Sequence, residues 1–544
     1  MNHAIVFLHN IQRYKNDYFF SISIQSSMDF LPNDCLELIF TMLCIVDMIQ
    51  LSMANRKMRT IYNRIVSLCV KPHTSLKVNN VPLLTEYIEI FRTIPNFMFD
   101  RLMIHIDMRG NAEKVMSIIK DFDAHKKSRL CVYDSQYQID FAPHMKHLVG
   151  IHKLTIHGNA TNVHDDLIQQ HLSTIPSLTF VKVDNLNLTR FTSLESFSLI
   201  NSNISNVHEL KNIRTLNLHG CKNITNVSML GDVYELDLSD TNVFDVSMLG
   251  RVHKLDLTNT KVTDVSMLGR VHELNLTLTK VEDVSMLGNV YHLELTYCHF
   301  VKNINTLSSV HTLILACIDI EHIDGSMFEN VHSLDLTGCE KLQSLVNIDR
   351  IHTLTLSKTN VSDVSMLGRV HTLDLSETNV SDVSMLGRVH TLDLSETNVS
   401  DVSMLGRVHT LNLSQTIVSD VSMLGRVHTL NLSQTIVSDV SMLGRVHTLD
   451  LSRTKVSDVS ALGNVHTLDL SRTKVSDVRA LGNVHTLDVS YTHVEYRMLD
   501  FLKNVVVLSH TIKPPAPKVV QSKKRVRFEI RVRRGCVKRV KLAC

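Results

Sequence analysis

The chain has no tryptophan among its 544 residues, an unusual lack that by itself excludes nothing. Other absences exclude more. No uninterrupted apolar run approaches 18 residues, since even the stretch from Leu36 to Leu51 contains Glu37 and Asp47, so no membrane-spanning helix is expected. The N-terminus, MNHAIVFLHNIQRYK, lacks a basic start and a clean apolar centre and makes a poor secretory signal. The ten cysteines include no C-x-x-C pair, which argues against disulfides and zinc fingers and suits reduced thiols in the cytosol or nucleus. No glycine-rich phosphate loop, nucleophile elbow or metal signature occurs, so neither an enzyme nor a cofactor is expected.

What the chain has instead is repetition. From Tyr234 to His485 it repeats roughly every 19 residues, and two copies, His371 to Val389 and His390 to Val408, are identical. A unit this short cannot bury its own apolar face, so copies must stack into a solenoid. Within the copy that begins at Val370, residues Val370, Leu373, Leu375, Val380, Val383 and Leu386 recur in the pattern V-x-x-L-x-L-x-x-T-x-V-x-x-V-x-x-L. The central L-x-L alternates as a short strand does, with Leu373 and Leu375 inward and Thr372, Asp374 and Ser376 outward. Stacked copies predict a parallel sheet with one strand per turn.

This pattern resembles the leucine-rich repeat family over more than half of the chain. The resemblance implies an α/β solenoid with a curved parallel sheet and short turns whose outer side is extended or makes one tight helical turn. The family usually has Asn where this chain has Thr378, and the Thr hydroxyl is expected to carry a weaker version of the same ladder between neighbouring turns. Three turns place Cys221, Cys298 or Cys339 there, which resembles the cysteine-containing subtype of F-box proteins. Asp382 is placed to cap the outer turn by accepting from N–H groups two or three residues on.

Near the start, residues 29–65 read DFLPNDCLELIFTMLCIVDMIQLSMANRKMRTIYNRI. Leu31-Pro32 opens a helix, because Pro is tolerated in a first turn, and Leu36, Ile39, Phe40 and Leu43 follow at helical spacing. The segment resembles an F-box, the helical module that docks substrate receptors onto the Skp-type adaptor of cullin ubiquitin ligases. Matching residue to residue puts adaptor contacts at Leu31, Pro32, Leu36, Ile39, Leu43 and Leu51, with Met58 in place of the family's usual Trp. A plain helical cap on the solenoid is the alternative. The organisation read from the sequence is an extension at 1–28, expected to be dispensable or mis-assigned over 1–27 because Met28 stands immediately before the motif; an F-box-like domain at 29–68; a linker or degenerate repeats at 69–150; the solenoid at 151–510; and a basic disordered tail at 511–544. Within 69–150, Leu83–Phe91 and Ala112–Phe122 read as helices and Leu102–Ile106 and Leu130–Tyr133 as strands.

Several columns of the repeat carry chemistry-bearing side chains. Histidines from His253 to His485 fall just before each strand, but a single-file row does not converge on one ion as ligation requires, so a stacked structural row is expected. Its protonation should set neighbour against neighbour and weaken the array below about pH 6. Asp237, Asp256, Glu294, Asp335, Asp374, Asp393, Asp450, Asp469 and Asp488 form an acidic file that suits a positively charged partner or simply a solvated face. Arg369, Arg388, Arg407, Arg426 and Arg445 form a basic file at the turn into each strand. Identical turns present the same side chains again and again, so a specific target site is expected in the irregular turns from Val290 to Ile351, at Glu294, Tyr297, Ile314, Cys317 and Asp335.

In the tail, from Lys513 onward, twelve Lys and Arg face a lone Glu529. Lys523, Lys524, Arg525 and Arg527 resemble a nuclear import signal, and Arg525-Val526-Arg527-Phe528 resembles a docking motif for type-1 protein phosphatase. The tail could also bind nucleic acid, or fold back on the acidic face. Together the resemblances imply a substrate receptor of a cullin-type ligase, with arrays of large amoeba-infecting DNA viruses showing similar repeat wording. The alternative is a scaffold that holds proteins together without a ligase, including a phosphatase regulator.

Overall fold

The computed structural model describes residues 172–502 except 185 and 349, shorter stretches between 119 and 170, the strands Thr74–Val78 and Leu102–Asp107, residues 505–507, and two strands in the tail. The adaptor residues expected from Leu31 to Met58, the helix at Leu83–Phe91 and the import-signal residues Lys523 to Arg527 lie outside the described residues. The chain divides into two units, Met1–Asp237 and Leu238–Cys544.

In the first unit, the strands Thr74–Val78, Leu102–Asp107, Leu130–Tyr133, Lys153–His157, Ser177–Val181, Ser196–Ile200, Thr215–Asn217 and Glu235–Asp237 pair in parallel, each with the next. The pairing sets Leu76 opposite Ile104, Ile104 opposite Leu130 and Leu154 opposite Leu178, so these turns are longer than 19 residues. Residues 69–150 therefore contain repeat strands, and a short helix, Ala124–Lys127, fits in one of the long connections. Of the helix expected over Ala112–Phe122, only its end at Ile119 is described as helical. Phe180, Phe191 and Phe197 pack together with ring centroids 5.3–5.8 Å apart.

The second unit is the regular array. Its repeat strands from Lys254–Asp256 to Thr486–Asp488 are three residues long, as in Thr372–Asp374 and Thr391–Asp393, and each pairs in parallel with the strand of the next turn. Leu373 and Leu375 are buried, as are Val370, Val380, Val383 and Leu386, while Asp374 is half-exposed. All six apolar positions of the unit thus point inward, each contributing about 1.5–3 kcal/mol of burial. Backbone bonds tie turn to turn: the N–H groups of His390 and Thr391 both donate to the His371 carbonyl at 3.0 Å, and Leu394 N–H donates to the Asn412 carbonyl at 2.9 Å.

Other backbone groups are satisfied within the turn by polar side chains of the unit. Asp382 Oδ1 accepts from Ser384 N–H at 3.0 Å, the cap expected for the outer turn, and that turn is a single 3₁₀ turn in copies such as Ser403–Leu405. Thr378 differs from expectation. Its buried hydroxyl donates to Leu375 C=O of its own turn at 2.6 Å and not to a neighbouring turn. A hydroxyl on so short a side chain reaches the carbonyl three residues back before any other acceptor. Cysteine thiols in the same column do cross between turns: Cys221, Cys298 and Cys339 donate to the carbonyls of Leu199, Leu276 and Leu315 at 3.0–3.1 Å.

One residue per turn sits in the left-handed region. Glu377, Glu396, Gln415, Gln434, Arg453 and Arg472 all have φ between 55° and 60°, where a Cβ crowds the following carbonyl. The conformation aims each N–H at the next turn, as in Glu396 N–H to Ser414 C=O at 3.0 Å.

Among the described residues of the tail, Ile530–Val532 and Cys536–Lys538 pair antiparallel. Ile530-Arg531-Val532 alternates apolar and basic residues, and period-two alternation fits a strand, with Gly535 in the connection to the second.

Candidate functional site

The irregular turns bring the expected target-binding residues together. Register pairs Glu294 with Ile314 and Ile314 with Asp335, so an acidic, an apolar and an acidic side chain lie side by side across three adjacent strands. Both carboxylates are oriented by neighbours. Glu294 Oε1 accepts from the hydroxyls of Thr277 and Thr296 at 3.1 and 3.2 Å, and Asp335 Oδ1 accepts from Thr337 N–H and Oγ1 at 2.8 and 2.6 Å.

Tyr297 and Cys317 occupy the left-handed column of successive turns, with φ of 57° and 55°. Tyr297 N–H donates to Ala316 C=O and Cys317 N–H to Thr337 C=O, which fixes the two side chains in one file beside the strands. The neighbouring Cys317 thiol holds the Tyr297 phenol above its usual pKa. Leu278 precedes them in the file. Leu278 is 51% exposed and Tyr297 47%, so the file presents a leucine and an anchored aromatic ring where the regular turns carry Glu, Gln or Arg. Gly338 follows Cys317, and a Cβ there would lie 2.7 Å from Cys317 Sγ, so the thiol packs over bare backbone.

Turn length changes here as well. Leu293 pairs with Leu313, Leu313 with Leu334 and Leu334 with Leu354, spacings of 20, 21 and 20 residues, and the last two of these turns carry a second small parallel sheet, His322–Asp324 with Ser344–Val346. Asp324 Oδ1 accepts from Asn347 Nδ2 at 2.9 Å, and Lys341 pairs with Asp319 at 2.9 Å. The insertions were visible in the sequence as broken period; the shared left-handed file of Tyr297 and Cys317 was not, because neither residue signals a left-handed backbone.

The acidic file is less free than its sequence suggested. Asp374, Asp393, Asp450 and Asp469 each accept from the N–H two residues on, at 2.7–2.9 Å, and Asn412 Nδ2 donates to Asp393. Burial, with Asp450 and Asp488 alongside, raises the Asp469 carboxyl. The histidine row is a continuous stack. From His253 through His272, Tyr291 and His311 to His485, neighbouring ring centroids lie 4.3–5.0 Å apart with interplanar angles of 9–25°. Most Nδ1 atoms meet the hydroxyl of the following Thr at 3.2–3.4 Å, as in His390 with Thr391. Among the described residues no group of three or more His, Cys, Asp or Glu could hold a metal ion.

One short strand per turn, inward L-x-L, parallel pairing in sequence order and a capped outer turn define the architecture. The fold is a leucine-rich repeat solenoid. No protein-family model matches the chain, and no curated protein matches it either. Among solved structures, it is similar to the internalin InlF of Listeria monocytogenes, at 19% identity over 64% of this chain and 89% of that one, with a TM-score of 0.33. It is also similar to a leucine-rich repeat protein of Leptospira interrogans, at 14% identity, 68% and 98% coverage and a TM-score of 0.41. The mouse RP105/MD-1 complex gives 15% identity, 76% and 90% coverage and a TM-score of 0.47. At such identities the likeness is one of fold alone.

Proposed function

We propose that the chain is a non-catalytic recognition protein that captures a protein partner on the irregular turns from Leu278 to Asp335, and that residues 29–68 present that partner to a cullin-type ubiquitin ligase through a Skp-type adaptor. The observation that carries the recognition half is the row Glu294, Ile314 and Asp335 beside the exposed Leu278 and Tyr297. An apolar centre with oriented acidic groups at its margins has the anatomy of a protein interface, and aromatic residues are favoured anchors in such patches. The ligase half rests on the F-box resemblance of residues 29–65.

Affinity purification of the full chain, with and without residues 29–65, tests the ligase half. A Skp-type adaptor and a cullin should accompany the intact chain and be lost with the segment; their absence from the intact chain defeats it. The double substitution Tyr297→Ala and Ile314→Ala tests the recognition half, with an expected loss of about 2 kcal/mol, roughly thirtyfold in affinity. Unchanged capture by that variant, together with loss of capture on altering the identical turns, would move the site elsewhere.

A further inference from the structure

The outer side of five consecutive turns carries three parallel files that the recognition face does not use. Asp363, Asp382, Asp401, Asp420 and Asp439 form the first, and all are exposed. Each accepts from the N–H of the Ser two residues on, a bond that lowers its carboxyl pKa and keeps it charged at neutral pH. Met366, Met385, Met404, Met423 and Met442 form the second, each 57–59% exposed. Arg369, Arg388, Arg407, Arg426 and Arg445 form the third and are exposed too. The acid and methionine files share one surface: Asp401, Ser403, Asp420, Ser422 and Met423 line an open groove of about 240 Å³ between turns.

The fold does not require this pattern. In the next two turns the capping residues Asp458 and Asp477 remain, with the same bonds at 2.9 and 3.0 Å, yet methionine gives way to Ala461 and Ala480 and arginine to Asn464 and Asn483. The strands of those turns, Thr467–Asp469 and Thr486–Asp488, keep the same register. Methionine and arginine are both absent from these two turns while backbone and cap persist, and Asn289 follows Met286 in an earlier turn, so the fold imposes neither file. A line of exposed methionines is a contiguous apolar stripe, of the kind that marks an interaction surface.

We propose that this face binds a second copy of the chain, as a parallel, in-register dimer. Along each turn the order is acid, methionine, base, and all three files share one repeat period. Rotation by a half turn about an axis lying in the interface along the solenoid sets methionine on methionine and the arginine file of each copy on the aspartate file of the other. A half turn about the perpendicular in-plane axis, which reverses the partner, sets acid on acid and base on base. Charge therefore selects the parallel arrangement, and the interface is self-complementary, as twofold dimers require. The basic tail matches the aspartate file but meets the arginine file with like charge, so a second copy fits the whole face and the tail fits only part of it.

Sedimentation of the full chain tests the proposal. A dimer that loosens as salt rises is expected, because its charged rims are screened; a monomer at every concentration and salt overturns it. The variant carrying Met→Ala and Arg→Asn in all five turns copies what the chain already tolerates at Ala461 and Asn464, so it should melt like the parent and run as a monomer. A dimer that survives those changes overturns the assignment of the face, and so does a dimer lost on deleting residues 511–544. Orientation is read by single cysteines: Met442→Cys should cross-link to itself across the dimer, whereas cross-linking at Met404→Cys but not at Met442→Cys means an antiparallel pair.

Discussion

Gly406 shows how closely the turns approach. Its φ of −62° is ordinary helical backbone, so conformation does not demand glycine; space does. A Cβ there would stand 2.4 Å from the Met423 carbonyl oxygen, well inside any real contact, and backbone atoms cannot swing aside. Gly406→Ala is expected to cost about 1–3 kcal/mol in denaturant unfolding, as overpacking does, and an unchanged midpoint would mean that the turns can part without penalty. Gln434 poses the opposite case. At φ 60° it pays for a left-handed backbone with an ordinary side chain, whereas Asn tolerates that region better. Gln434→Asn should therefore stabilise the array by up to about 1 kcal/mol, and a loss of stability would show that this position is not strained. The sequence carried a faint signal of this column, since Asp240, Asn259 and Gly338 occupy it, but Glu, Gln and Arg in the regular turns hide it. Leu373, Leu375 and Asp382 were legible because period-two burial and an Asx cap are written in adjacent letters; the Thr378 bond was misread because letters do not say which of two carbonyls is nearer.

At the scale of one element, the stacked ring file joins strand to strand along the edge of the sheet. For His352, His390, His428 and His466, burial within the stack and then the neighbouring imidazoles lower the pKa below the usual value of 6.5. A lowered value means that the folded state binds protons less readily than the unfolded chain. The stability this represents is present in full above about pH 6.5 and is lost as pH falls through that value toward the folded pKa values. The melting temperature should accordingly be lower near pH 5.5 than near pH 7.5; equal values would remove the argument. Tyr291 already sits in the file at 4.5–4.8 Å from its neighbours, so replacing His390, His428 and His466 by Tyr should keep the stack and flatten the pH response. The file itself was legible as a repeated letter. Its face-to-face geometry was not, because period alone does not fix a side-chain rotamer.

At the scale of the whole molecule, the most regular turns and the candidate recognition turns are different parts of the chain. In a solenoid each turn contacts only its neighbours, so stability is close to a sum of turn and interface terms. Excising residues 390–408 joins Val389 to His409, a junction the chain already has at Val408–His409, and leaves every remaining turn with a neighbour of unchanged sequence. The shortened protein should still unfold in a single cooperative step, with a slightly lower midpoint, and should retain its partner as well as the parent does. Excising one irregular turn, from Leu295 to Ile314, removes Tyr297 and the apolar centre of the Glu294–Ile314–Asp335 row, and should abolish retention while the rest of the array stays folded. If the first deletion abolishes partner retention and the second leaves it intact, recognition belongs to the repeated surface and not to its interruption.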